Sequence, residues 1–245
     1  MSVFATLVEQ LAELLRPLFA TSATAAAIIV FTALVRLAVH PLSRAAARGQ
    51  KARTRLAPQL AELRTKYGRH AKDAERLQKA TMELYAREKV SPLSGCLPSL
   101  LQLPAFFLMY HLFSSTEIGG EPNGLLGHAL FDAPLGDRWT DALAHGGMFG
   151  GAGLVYVALF VIVAVVATFT YRRTKRQMAA APMTGEQMPG MGAMTKIMPL
   201  LSFATLATVA VVPLAAALYV VTSTTWTAVE RVFLYRDTPV PVTQL

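Results

Sequence analysis

The sequence predicts an all-α polytopic membrane protein with five transmembrane helices, an N-terminal interfacial helix and a cytoplasmic two-helix hairpin. Three observations carry this. Apolar residues make up 53% of the 245-residue chain and gather into runs long enough to cross a hydrocarbon core of ~30 Å. Lys and Arg crowd into segments that alternate along the chain with an acidic loop, the pattern that fixes membrane orientation. Two further stretches repeat their apolar residues at helical spacing.

Residues 1–18 place Val3, Phe4, Leu7, Val8, Leu11, Leu14, Leu15 and Leu18 on one side and Glu9, Gln10, Glu13 and Arg16 on the other, as an interfacial helix does. Residues 20–42 form the first span. Ala45, Ala46 and Ala47 beyond it resemble a signal-peptidase site, but a signal peptide carries its positive charge before the apolar run. Here Arg16 stands alone before it, whereas Arg44, Arg48, Lys51, Arg53 and Arg55 follow. The span is therefore expected uncleaved, with the N-terminus outside.

Residues 43–92 form the hairpin. Between Arg44 and Lys89 stand 13 Lys or Arg against five acids, with Leu56, Leu60, Leu63 and Tyr67 on one helical stripe. After a break at Gly68 to Lys72, Leu77, Ala80, Thr81, Leu84 and Tyr85 form another, and two such stripes bury each other. Pro58 would start or kink a helix.

The second span, 97–113, is interrupted by Pro98 and Pro104, which membrane helices tolerate when neighbours satisfy the freed carbonyls. Residues 114–150 hold Glu117, Glu121, Asp132, Asp137 and Asp141 but only Arg138, and so form an extracytoplasmic loop. The third span, 153–171, returns the chain to Arg172, Arg173, Lys175 and Arg176 and a cytoplasmic loop, 172–196. Pro213 divides the remaining apolar run into a fourth span, 197–212, and a fifth, 214–234. Their shortness predicts local membrane thinning. The tail, 235–245, ends inside.

The net charge of +8 follows from this topology, with no call for sequence-specific nucleic acid as a partner. Cys96 is the single cysteine, so neither an internal disulfide nor a cysteine zinc site is expected. No constellation of nucleophile, base and orienting group and no Gly-rich phosphate loop is evident; an enzyme, a cofactor and a metal are not expected. His40 and His111 lie near span ends, in interfacial positions.

Lys66-Tyr67-Gly68, Leu84-Tyr85 and the run from Ser91 to Phe107, with Tyr110 after it, resemble the YidC/Oxa/Alb family of membrane-protein insertases. The resemblance runs from about Thr32 to Tyr235 and includes Met198-Pro199, Pro213, Leu218-Tyr219 and Ser223. It implies five helices around a polar groove that is open to the cytoplasm and to lipid and closed outside, in the bacterial plasma (inner) membrane. By that similarity Arg36 is the groove arginine, with Thr32, Gln102, Tyr219, Ser223 and Thr224 lining the groove. Val220, Thr224 and Glu230 depart from the usual pattern, where an aromatic, asparagine and glutamine are common. The implied partners are nascent membrane-protein clients, the Sec translocon, the ribosome, the signal-recognition machinery and anionic lipids. Arg53, Arg55, Lys66, Arg69 and Lys72 on the hairpin are the candidates for ribosome, lipid or partner contact. Neither an N-terminal lipid anchor nor a long basic C-terminal tail is expected, because no cysteine precedes Cys96 and only Asp237 to Leu245 follow Arg236.

Competing readings stay open on sequence alone. Arg36 lies about four residues from the inner end of its span and could snorkel to the headgroups; alternatively it attracts acidic client tails from within a poorly screened groove. The hairpin charges could serve only as positive-inside determinants. Thr32, Gln102 and Tyr219 could be ordinary interhelical hydrogen-bond partners. For the whole chain, a small-anion transporter or channel and a structural membrane-assembly factor are the alternatives to an insertase.

Overall fold

A computed structural model describes residues 2–67, 73–90, 107, 110–118, 120–179 and 198–234, and it is mostly helical. The heart of the second expected span, with Gln102, lies outside the described residues, as do Arg69, Lys72 and most of the 172–196 segment.

Helix α1 (Ser2–Phe19) leads through a 3-10 turn, Ala20–Ser22, into α2 (Ala23–Tyr67). The apolar stripe of α1 divides. Val8 is fully buried and Phe4, Leu11 and Leu15 pack against the core, whereas Val3, Leu7, Leu14 and Leu18 face outward.

The expected boundary at residue 42 is absent as a structural break. α2 is one helix of 45 residues, ~68 Å long at 1.5 Å per residue and more than twice a hydrocarbon core. Pro41 and Pro58 both lie inside it. Each removes one hydrogen bond from the ladder, but the sequence between them is dominated by Ala, Arg and Leu, strong helix formers that carry the helix through. The first arm of the basic segment is thereby a rigid extension of the first apolar run.

Helix α3 (Ala74–Arg87) lies against α2. Leu56 is buried and Leu60, Leu63 and Tyr67 are half-buried on α2; Leu77, Ala80, Thr81, Leu84 and Tyr85 are half-buried on α3, while Glu75, Arg76, Lys79, Met82 and Glu83 are exposed.

Residues 114–150, read from sequence as a loop, form a folded cap. Two short antiparallel ribbons, β1 (Glu117–Ile118) with β2 (Glu121–Pro122) and β3 (Ala129–Leu130) with β4 (Ala133–Pro134), flank a 3-10 turn, Gly124–Gly127. Helix α4 (Trp139–Gly146) follows. Asn123 organises the cap: its Nδ2 donates to the Leu112 and Ser115 carbonyls, both at 2.9 Å, and its Oδ1 accepts from the Leu125 amide. Leu112, Phe113, Leu125 and Leu135 are fully buried around it. Turn chemistry and one asparagine build this unit, so hydrophobic periodicity does not reveal it.

Helix α5 (Gly151–Ala179) continues eight residues past the expected end of the third span, through the arginines, with Lys175 6.0 Å from the Tyr171 ring centroid. Trp139 of α4 stacks edge-on to Phe160 at 5.2 Å and lies 5.7 Å from Tyr156, tying cap to helix. A 3-10 segment, Met198–Phe203, precedes α6 (Ala204–Val211), and α7 (Leu214–Leu234) follows Pro213. The 3-10 segment and α6 together rise ~24 Å, short of a ~30 Å core.

α7 is the helix around which the rest pack. Leu214 to Val221 are all buried, among α2, α5, α6 and the cap. Its first turn has orphan N–H groups to satisfy, and the cap supplies the acceptors: Leu214 N donates to Asp137 O and Ala215 N to Leu135 O, both at 2.9 Å. Tyr156 Oη donates to the same Asp137 carbonyl at 2.6 Å.

The stretches within Val3–Tyr67 and Gly151–Arg176 are long and apolar enough to cross a membrane. Their outward faces, with Leu34 and Leu37 on α2 and Val161 and Val165 on α5, remain exposed and apolar, as lipid requires.

Candidate functional site

The site lies where α2 meets α7. Arg36 is 13 residues into α2 and Ser223 nine into α7, so both sit roughly 14–20 Å from the cap end of their helices, within the thickness of a hydrocarbon core. Arg36 Nε donates to Ser223 Oγ at 2.9 Å, and a second guanidinium nitrogen reaches the same oxygen. The arginine is half-buried and Ser223 is 4% exposed. The side chain therefore turns across to the neighbouring helix at its own depth.

A serine hydroxyl is neutral, so it orients the guanidinium without cancelling its charge. Among the described residues Arg36 forms no ion pair. A cation fixed in a poorly polarisable environment acts over a longer range than one in water.

Other expected site residues divide between two faces of α7. Tyr219, one turn before Ser223, is buried, 6.0 Å from Phe113 ring to ring. Thr224 is turned away by the ~100° between successive helical residues. It lines a separate cavity of about 170 Å³ with Thr170, Ser202, Thr205, Thr227 and Arg231, and its hydroxyl donates to the Val220 carbonyl at 2.8 Å. Thr32 is buried with its hydroxyl donating to the Ile28 carbonyl of its own helix at 2.6 Å. On the basic arm, Arg55 and Lys66 are exposed, Arg53 is half-buried, and Lys66 Nζ lies 5.2 Å from the Tyr67 ring centroid.

The sequence reading missed one pair. His40, assigned to an interface, hydrogen-bonds Glu230 through Nδ1; the imidazole is one-third exposed and the glutamate side chain 10%. The sequence held half of the signal: His40 follows Arg36 by four residues and Glu230 follows Ser223 by seven, so each shares a helix face with its predecessor, and the contact between Arg36 and Ser223 brings the two faces together. The two contacts rise together in residue number, which makes α2 and α7 run in the same direction.

Residues 17–240 match the family described as "60Kd inner membrane protein". The chain is 43% identical over 97 residues to the membrane protein insertase YidC of Xanthomonas campestris, an alignment covering 39% of this chain and 16% of that protein. It is 33% identical over 174 residues to the membrane protein insertase YidC of Parabacteroides distasonis, covering 71% of this chain and 26% of that protein. The insertase of Laribacter hongkongensis is 42% identical over 97 residues, 39% of this chain and 17% of that protein. The aligned regions thus span about a quarter or less of these relatives' lengths.

Proposed function

From the premise that the chain belongs to the 60Kd inner membrane protein family, we propose that it is a membrane-protein insertase and chaperone. It receives nascent hydrophobic segments in a polar groove between α2 and α7 and passes them into the bilayer, alone or beside the Sec translocon. The observation that carries this reading is Arg36 held by Ser223 at membrane depth with its charge uncancelled by the serine. A client tail bearing carboxylates is drawn to that charge from the cytoplasmic side. The driving force is the client's own: ~20 apolar residues entering lipid at about −0.3 to −0.6 kcal/mol each outweigh the cost of carrying a short polar tail across. The groove's task is to lower the barrier for the tail. No covalent step is required.

In this reading five spans enclose the groove, with Gln102 of the second completing its lining. The cap lies outside and closes the groove's outer end by holding the first turn of α7, and the α2–α3 hairpin lies in the cytoplasm. Its exposed Arg55 and Lys66, with Arg69 and Lys72, meet anionic lipid headgroups or ribosomal RNA.

Photocrosslinking to a stalled nascent chain tests the function. Probes at Tyr219 and Ser223 are expected to capture a client whose apolar segment has just emerged, and a probe at Val161, on the outward face of α5, to capture it much less. Equal capture from all three would argue against a groove. For the topology, cysteines replacing His128 in the cap and Lys175 beyond the third span, in a Cys96-free variant, are expected to label from opposite sides of the membrane. Labelling from the same side would refute the arrangement.

A further inference from the structure

We infer that Glu230, held in place by His40, sets the charge balance of the groove and thereby selects among client tails. The inference rests on the insertase reading and concerns a pair to which that reading gives no role.

Three observations lead to it. Glu230 is a carboxylate on a helix of a membrane protein, 10% exposed, and such a group is costly to keep unless it is used. It stands seven residues after Ser223 on the same face of α7, about 10 Å further along the helix than the serine that holds Arg36. Finally, His40 fixes it: the imidazole comes from α2, one turn beyond Arg36, so the carboxylate is held at the seam between the same two helices.

Seen from the end of the helices remote from the cap, a tail meets Glu230 first and Arg36 second. A negative charge at the mouth raises the approach barrier for an acidic tail and lowers it for a basic one, and it partly offsets the deeper attraction of Arg36. Neutral imidazole leaves the carboxylate's charge at the mouth, whereas imidazolium cancels it. In either state, replacing Glu230 with glutamine makes the mouth one unit more positive. The groove is therefore tuned toward weakly acidic and neutral tails.

The test uses the full chain in proteoliposomes and single-span clients that differ only in whether the translocated tail carries two Asp, no charge or two Lys. Glu230→Gln is expected to speed insertion of the acidic client ~3-fold relative to the neutral one and to slow the basic client. Combining it with Arg36→Ala should abolish the preference for acidic tails. Glutamine is isosteric with glutamate and keeps a hydrogen-bonding partner for His40 at the seam, so the shift reports charge and not loss of the contact. If the folded Glu230→Gln variant treats all three clients as the wild type does while Arg36→Ala discriminates against acidic tails, Glu230 is only a strut and this inference fails with the insertase reading intact. If Arg36→Ala also inserts all three at the wild-type rate, the groove-arginine reading itself fails.

Discussion

Arg36→Glu is expected to abolish insertion of acidic-tailed clients almost completely, with Arg36→Ala impairing them strongly and Arg36→Lys retaining much of the activity. The order follows from charge. Glutamate turns attraction into repulsion; alanine removes attraction and leaves Ser223 without its donor; lysine keeps the unit charge but loses the forked geometry that reaches Ser223 Oγ from two nitrogens. At an effective dielectric of ~20 and a separation of ~6 Å, one favourable pair is worth roughly 3 kcal/mol, and reversing its sign doubles the difference. That corresponds to roughly two orders of magnitude in rate for Arg36→Ala on an acidic client. Clients with neutral tails should lose far less. The rates are read as protease-protected client in proteoliposomes at matched protein levels. Wild-type rates from all three variants with both clients would reduce Arg36 to a snorkelling side chain.

Gly153→Val should cause the largest loss of stability, about 3 kcal/mol or more. A Cβ at Gly153 would stand 2.3 Å from the Gly147 carbonyl oxygen and 2.7 Å from that of Met148. These are backbone atoms, so relief requires the α4–α5 corner to move. That corner is already constrained, because Gly147 sits at φ 66°, a conformation side-chain-bearing residues rarely adopt. Displacing it separates Trp139 from Tyr156 and Phe160 and loosens the Asp137 carbonyl that caps α7. Thermal unfolding in detergent micelles, followed by tryptophan fluorescence, measures the effect. Gly127→Ala is the control, since nothing lies within 4 Å of its Cβ position, and it should melt like the wild type. Equal melting of Gly153→Val and the wild type would mean that the corner is not packed as described.

Burial of an unpaired cation and the sign of loop charges are local costs, legible wherever an arginine interrupts an apolar run. The sequence by itself therefore marked Arg36 as the residue to explain, and the alternation of basic and acidic segments set an expected topology. Helical periodicity likewise picked out Leu56, Leu60, Leu63 and Tyr67 and the stripe from Leu77 to Tyr85, the less exposed positions of α2 and α3. The apolar run after Pro213 outlined α7, because proline's fixed φ and missing N–H suit a helix start. Tertiary structure decided what Arg36 touches. Ser223 lies 187 positions away, and His40 meets Glu230 across 190, separations over which no pattern in the chain carries register. It also decided that Ser223 and Thr224, adjacent in sequence, serve different surfaces, since a helix rotates ~100° per residue and only packing fixes which face meets α2. The cap came from tertiary structure alone. Its order rests on Asn123, left-handed turns and carbonyls lent to α7, none of which hydrophobic pattern encodes, and the bonds to α7 exist only once the helices have assembled.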